Sequence, residues 1–334
     1  MTKPNRREAV PSRRIEFLIR STEDPLAQDG ANVIAGLSQS PKRISPVYVY
    51  DKRGTEFFER QCDTPEYYLR RAEAGLLQAH AADIVDVCGS IPIVELGAGT
   101  ARKTRCLLAE YQRRGLPCTY FPIDVDTETL QDAMTQLAAV FPHLWIYCLG
   151  ATYDTALPLI PACSRDRLFL FLGSSLGNMR EEEMDAFLKQ LSQTCARGDF
   201  LLLGADLDKS PAMIDAAYND AGGFGAESTL NMLHHLNRRY DGDFDVRQFR
   251  YRSRYNSSVK CNEVRIDSRV EQTVTLASLK FTATFHAGES IDAEIMWKFD
   301  PDELTERCLR AHFVPVRRWI DPIYRYGLFL LRRR

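Results

Sequence analysis

The chain has 334 residues, 45 % hydrophobic and 26 % charged, the composition of an ordinary globular protein with room for one large domain or two. A formal net charge of −2 excludes a global basic field for nucleic acid, and no apolar run is long enough to cross a membrane. Nine cysteines without a C-x-x-C pair, and an N-terminus without an apolar signal segment, point to reduced thiols in the cytoplasm and to no metal site.

Residues 1–45 are polar and proline-spaced, which predicts an extended arm with one short strand, "RIEFLI". The short basic ends (Arg6, Arg7, Arg13 and Arg14, then Arg332, Arg333 and Arg334) are expected to be solvated. Residues 55–90 place apolar side chains at three- and four-residue intervals and predict helix. From about 92 the pattern alternates: strands "IPIVEL", "CTYFPIDV", "LWIYCL", "RLFLFLG" and "DFLLLGADL" are separated by helical segments, including "ARKTRCLLAEYQRR" and "TETLQDAMTQLAAVF". This order predicts parallel β-α-β units in a doubly wound sheet. After 210, "PAMIDAAYND" and "STLNMLHHLNRRY" read as helices, and three segments between 245 and 288 alternate like antiparallel strands. A late helix, "PDELTERCLRAHF", and a closing strand, "YGLFLLRRR", complete the chain. The expected organisation is an arm (1–45), an N-terminal helical region with a Rossmann-like core (46–210), a smaller α+β substrate lobe (211–300) and a C-terminal helix and strand that complete the core (301–334).

The chemistry concentrates at "VELGAGTARKT", residues 94–104. Gly97 and Gly99 follow a strand and leave the backbone open to close approach by a ligand. The turn is neither G-x-G-x-x-G nor a P-loop. Asp124, at the end of the second strand, is placed to accept ribose hydroxyls, a feature shared by dinucleotide enzymes and methyltransferases. Glu95 just before the glycines, and the lack of a pyrophosphate fingerprint, favour S-adenosylmethionine over a nicotinamide cofactor. An oxidoreductase and a non-catalytic binding protein stay as alternatives from other classes.

Four further segments, "YVYDKRGTEFFERQCDTPEYYLRRAEAGLL", "FLGSSLGNM", "LLGADLDKSPAMIDAAYND" and "IDAEIMWKF", join the glycine loop in a fixed order. Together they resemble the histidine-specific, S-adenosylmethionine-dependent methyltransferases of ergothioneine biosynthesis, and also the fungal dimethylallyltryptophan N-methyltransferases. The resemblance runs from about 45 to 332. It implies a class I methyltransferase core that trimethylates the α-amine of a free amino acid, histidine first and tryptophan or an indole derivative as the alternative. It implies cofactor contacts from Gly97, Lys103 and Asp124. It implies that Tyr67, Asn178 and Tyr218 hold the amino acid's head, that Tyr50 is the catalytic candidate beside the amine, and that Glu294 recognises the imidazole. The implied partner is the free amino acid, with no nucleic acid or membrane, and the expected state is a monomer.

Three positions depart from the family pattern. Met296 stands where a serine is usual, and Val264 where the histidine enzymes resemble one another in having methionine. Ala151 stands where an acidic residue commonly faces the adenine amine, which leaves that contact to Ala151's neighbours Thr152 or Asp154. Methyl transfer is an in-line displacement, so positioning is the main lever these residues supply.

Overall fold

The computed structural model describes residues 15–20, 30–161 and 165–334. Along the chain the elements are β1 (Ile15–Arg20), α1 (Gly30–Ser38), β2 (Lys42–Arg43), α2 (Lys52–Cys62), α3 (Leu69–Cys88), β3 (Ile93–Leu96), α4 (Arg105–Arg113), β4 (Cys118–Asp124), α5 (Thr127–Val140), β5 (Leu144–Gly150), α6 (Tyr153–Ala156), β6 (Leu168–Phe171), α7 (Glu181–Thr194), β7 (Phe200–Asp206), α8 (Pro211–Tyr218) and α9 (Phe224–Tyr240). They continue with β8 (Phe249–Asn256), β9 (Cys261–Ser268), β10 (Gln272–Leu276), β11 (Phe281–Phe285), β12 (Ser290–Trp297), α10 (Pro301–Arg310), β13 (Phe313–Ile320) and β14 (Tyr326–Arg333).

The large sheet has the order β1-β5-β4-β3-β6-β7-β14-β13. It is parallel from β1 to β7 and ends in an antiparallel β14-β13 pair. Residues of β3, β6 and β7 are buried throughout, as they must be when helices cover both faces of a parallel sheet. Period-two alternation divides them between two cores. Ile93, Leu168 and Leu170 face the layer built with α3, α4 and α5, whereas Val94, Phe169 and Phe171 face α7 and α10. This is a doubly wound, Rossmann-like core, with the strand order reversing on either side of β3.

A second sheet, β2-β12-β9-β8, and the β10-β11 ribbon build the smaller lobe with α1 and α9. Strand β8 shows why it is one-sided: Arg250, Arg252 and Arg254 are exposed, while Phe249 and Tyr255 are buried. The paired registers place Glu294 and Met296 of β12, Val264 and Asn262 of β9, and Ser253 and Tyr255 of β8 on the inward face.

Several expectations change. Gly30–Ser38, read as extended arm, is helix α1, and the neighbouring β2 pairs with β12. Residues 1–14 and 21–29, with Arg6, Arg7, Arg13 and Arg14, lie outside the described residues. The late helix stops at Arg310, and Phe313–Ile320 forms β13, an edge strand whose proline and arginines disguise it in the sequence. Arg332 and Arg333 are not simply solvated: Arg332 pairs with Asp166 at 3.2 Å, and Arg333 donates to the Ser192 carbonyl at 2.9 Å. Among the described residues no helix is long and apolar enough to cross a membrane, and no cluster of side chains is arranged to hold a metal.

Gly204, inside β7, permits a close approach that the core uses. A Cβ there would lie 2.0 Å from Glu73 Oε1 and 2.9 Å from Tyr326 Oη. Gly204→Ala is expected to destabilise the fold by about 1–3 kcal/mol through overpacking. Chemical denaturation checks this; an unchanged midpoint would show that Glu73 moves aside freely.

Candidate active site

The carboxyl ends of β3 and β6 flank the point where strand order reverses, the usual place for a ligand crevice in such sheets. Gly97 (φ +72°) and Gly99 (φ +49°) turn the chain there in the left-handed region. Gly99 N–H donates to Asp124 Oδ2 at 2.8 Å, and Asp126 N–H to Asp124 Oδ1 at 3.0 Å. These bonds leave acceptor capacity on both carboxylate oxygens. Burial raises the Asp124 carboxyl above its ordinary pKa, opposed by backbone bonds from Asp126, Gly99 and Val125.

Glu95 serves the loop from beneath. Its carboxylate accepts from Thr104 at 2.6 Å and from the Tyr120 hydroxyl, tying β3 to β4 and to the start of α4. Burial pushes this carboxyl up to about 7 against those two donors. Ala151 is buried and Thr152 exposed at the start of α6, where Thr152 Oγ1 lies 3.2 Å from Thr155 Oγ1. The next residue, Tyr153, projects its hydroxyl over the glycine turn: a Cβ on Gly97 would lie 2.8 Å from Tyr153 Oη.

Lys103 sits across the same crevice, and its ammonium contacts Glu73 Oε2 at 2.5 Å. Glu73 is 1 % exposed and also accepts from Gly173 N–H and Tyr326 Oη, both at 2.7 Å. After Gly173, the loop turns through Ser174 (φ +57°) into the 3₁₀ turn Ser175–Asn178. A Cβ on Gly177 would stand 2.9 Å from the Trp297 carbonyl, so this turn lies directly against the end of β12. Asn178 is exposed at its tip.

The opposite wall is aromatic. Tyr50 packs edge-on against Phe58 (6.0 Å), Phe58 against Tyr67 (6.0 Å), and Tyr67 against Tyr218 (6.1 Å). Solvent reaches 46 % of Tyr50. Desolvation raises its hydroxyl's pKa first, and Glu294, Cys62, Tyr153 and Tyr218 around it raise it further. Tyr50 is therefore within electrostatic reach of both Tyr153, at the glycine turn, and Glu294.

Glu294 is half-buried and accepts from Thr229 Oγ1 at 3.1 Å. Burial pushes its carboxyl up to about 7, with Thr229 pulling the other way. Val264, opposite it on β9, is 1 % exposed within the lobe core. Met296 is half-buried, and Asn262 Nδ2 lies 3.7 Å from its sulfur.

The comparisons with known proteins carry this geometry to a family. Residues 29–333 match the family model described as "Histidine-specific methyltransferase, SAM-dependent". The chain belongs to that family. It is 36 % identical over 299 residues to a histidine N-alpha-methyltransferase of Mycobacterium tuberculosis, spanning 90 % of this chain and 93 % of that one. A histidine N-alpha-methyltransferase of Mycolicibacterium smegmatis is 35 % identical over 302 residues, 90 % of this chain and 94 % of the other. A 4-dimethylallyltryptophan N-methyltransferase of Claviceps purpurea is 26 % identical over 219 residues, 62 % of this chain and 63 % of the other. This methyltransferase therefore takes S-adenosylmethionine as its cofactor, and the crevice fits it: Asp124 offers open acceptor positions to a ribose, beside a glycine turn with exposed backbone.

The structure places Gly97, Lys103, Asp124, Ala151 and Thr152 around the carboxyl ends of β3, β4 and β5, and Tyr50, Tyr67 and Tyr218 in one series with Phe58. Glu294 and Met296 lie on one face of β12, opposite buried Val264 and Asn262, and Asn178 lies on the turn against the end of β12. The structure adds Glu73, Tyr153, Thr229, Asp206 and Lys298. Lys298 had a readable signal, since 294, 296 and 298 share one face of an extended segment. The others join only through the fold.

In this methyltransferase a side chain at position 97 meets two obstacles, the positive φ and the Tyr153 hydroxyl. Gly97→Ala is expected to weaken S-adenosylhomocysteine binding about tenfold or more, since backbone strain alone costs roughly 1–3 kcal/mol. Adding Tyr153→Phe should recover part of the loss by removing the clash. Calorimetric titration reads both, and wild-type affinity in Gly97→Ala would remove the loop from the cofactor site.

Proposed function

We propose that the enzyme transfers methyl groups from S-adenosylmethionine to the α-amine of free L-histidine, giving the trimethylated betaine hercynine. The observation that supports this reading is a glycine turn bonded to Asp124, able to take a ribose, together with a Glu294 carboxylate able to take an imidazole N–H, and Tyr50 within electrostatic reach of Glu294 and of Tyr153 at the glycine turn. Two relatives named as histidine N-alpha-methyltransferases align over nine-tenths of the chain.

When bound, S-adenosylmethionine supplies an electrophilic methyl group. The protein's share is positioning, exclusion of water and management of charge. Gly97, Gly99 and Asp124 would hold the ribose, with Thr152 and the buried Ala151 lining the end of β5 near the adenine. Lys103, anchored by Glu73, would present its remaining N–H bonds to the cofactor's carboxylate. Tyr67, Asn178 and Tyr218 would hold the amino acid's head; exposed Asn178 has an amide that both donates and accepts. The Tyr50 ring face would stabilise the amine as it becomes cationic and stays so through successive methylations. Glu294 would accept the imidazole N–H. The eight described cysteines are free thiols, which fits a cytoplasmic enzyme, and the reading takes it as a monomer acting on a free amino acid without nucleic acid or membrane.

Met296 favours a second reading. An apolar thioether beside Glu294 removes a hydroxyl that would fix an imidazole and suits a larger ring, so tryptophan or an indole derivative is the alternative substrate. Incubation with S-adenosylmethionine and a panel of amino acids, read by mass, separates the two. Histidine should gain three methyl groups, and Met296→Ser with Val264→Met should raise the ratio of kcat/KM for histidine over tryptophan. Methylation of no free amino acid by a protein that still binds S-adenosylhomocysteine would overturn both readings.

The raised carboxyl of Glu294 also predicts a pH effect on stability. Its folded pKa, about 7, lies above the ordinary 4.5, so the folded state holds this proton more tightly than the unfolded state. That contribution is complete below 4.5 and is lost as pH rises through about 7. Glu294→Gln, which keeps the shape without the ionisation, should therefore gain melting temperature relative to wild type across that interval. A difference in melting temperature that is flat with pH would contradict the assigned burial.

A further inference from the structure

Beneath Tyr218 lies a charged group that neither the sequence reading nor the reaction requires at first sight. Lys298, one residue beyond β12, has a side chain that is 1 % exposed. Its Nζ lies 2.8 Å from Asp206 Oδ2 and 2.8 Å from Tyr218 Oη, and 4.7 Å from the centroid of the Tyr218 ring. Burial alone would discharge this amine, but Asp206 and the Tyr218 phenol oppose that and hold its pKa above the ordinary value. Asp206 itself is fully buried and is shared with Tyr68 Oη at 2.7 Å and with the ammonium of Lys209.

The direction of the bond to Tyr218 follows from the chemistry of the donor. An ammonium has three N–H donors and no acceptor, so Lys298 donates and the phenol oxygen accepts. The phenol has one proton of its own. Among the described residues none accepts it, and it cannot be given back to Lys298. The tyrosine backbone is fixed from the other side, where Tyr251 Oη donates to the Tyr218 carbonyl at 2.6 Å. The result is a hydroxyl fixed in place, polarised by a cation, whose hydrogen must leave the pair.

We propose that Lys298 is a positioning residue for the transfer: by donating to Tyr218 Oη it commits the phenol's proton to the carboxylate of the free amino acid. This rests on the amino-acid reading of the cleft given above and adds to it the reason for a free carboxylate. A neutral phenol in water both donates and accepts, so alone it holds an amide carbonyl, an amine or a carboxylate with little preference. With its acceptor side occupied by an ammonium, it becomes a donor only. An anionic acceptor then gains most, because charge-assisted bonds are about twice as strong as neutral ones. A backbone amide or an ester gains less, which favours free amino acids over peptides.

The test compares histidine with histidine amide, which keeps the side chain and amine but loses the carboxylate charge. Steady-state kinetics are measured on the full chain for wild type, Lys298→Met, Tyr218→Phe and the double variant, with S-adenosylhomocysteine affinity measured on each. Lys298→Met should raise KM for histidine by about ten- to a hundredfold, the range for a hydrogen bond to a charged group, with little change for the amide. Its kcat should stay within about threefold, because a holding contact is lost and not a transition-state one. In the Tyr218→Phe background the same change should add less than about twofold, since the acceptor oxygen is gone. Cofactor affinity should be unchanged throughout. If Lys298→Met does not fold, Lys298→Gln serves in its place. Its amide supplies an acceptor as well as a donor, frees the phenol to turn, and should lower the preference for histidine over the amide.

Wild-type KM and wild-type selectivity in either folded variant overturn the proposal, as do losses that multiply fully with Tyr218→Phe. A wild-type enzyme that methylates no free amino acid overturns the parent reading instead. Wild-type turnover of histidine that depends on Tyr218 but not on Lys298 removes only this inference.

Discussion

One buried carboxylate, Asp206, fixes how the two halves of this molecule meet. It ends the central strand β7 and has no exposed surface. Removing a carboxylate from water is costly unless charge and hydrogen bonds replace the lost hydration. Here the replacement comes from Lys298 after β12, from Lys209 three residues on, and from Tyr68 at the start of α3. The backbone joins at the same point: Phe299 N–H donates to the Asp206 carbonyl at 2.9 Å, and Asp208 N–H to the Phe299 carbonyl at 3.0 Å. The Rossmann-like core and the smaller lobe are therefore sutured at the floor of the cleft. Lys209 bears part of the cost, since burial lowers its pKa to about 8 against the pull of Asp206.

That suture matters because the reaction needs distance control more than it needs acid or base. The glycine turn is held by sheet strands: Gly99 and Asp124 grip each other across β3 and β4. The opposite side is held by β12, which carries Glu294, by α8, which carries Tyr218, and by the entry to α3, which carries Tyr67. An in-line methyl transfer from one wall to a ligand on the other depends on the separation of the walls, and a near-attack geometry accounts for much of the rate. The backbone bonds joining Asp206, Asp208 and Phe299 set that separation and do not depend on the Lys298 side chain. Glu73 does the same higher in the crevice, where one carboxylate binds Lys103, the Gly173 amide and the Tyr326 hydroxyl, and so joins α3 and the β6 loop to β14.

The aromatic wall adds a different property. Tyr50, Phe58, Tyr67 and Tyr218 meet edge to face, so each ring braces the next. Phenol and phenyl faces attract a cation without giving it a hydrogen-bond acceptor. An amine that receives one methyl group after another loses N–H donors while it gains permanent charge. A wall of ring faces suits every stage of that series, whereas a carboxylate beside the nitrogen would bind the first stage best and hold the amine protonated.

The sequence by itself determined the parallel core and the glycine turn. The reason is local: period-two and period-3.6 patterns report burial directly, and glycines at 97 and 99 mark positive φ wherever they fall. It misread Gly30–Ser38, a short helix whose partners lie far along the chain, and β13, an edge strand with Pro315 and two exposed arginines whose pairing with β14 lies in tertiary structure. Only the fold decided what each selected residue leans on. Tyr218 and Lys298 are 80 positions apart, Thr229 and Glu294 65, and Glu73 and Tyr326 253. No periodicity links such pairs, because a buried carboxylate takes its donors from whatever elements the packing brings to it, and that choice is made by the whole chain at once.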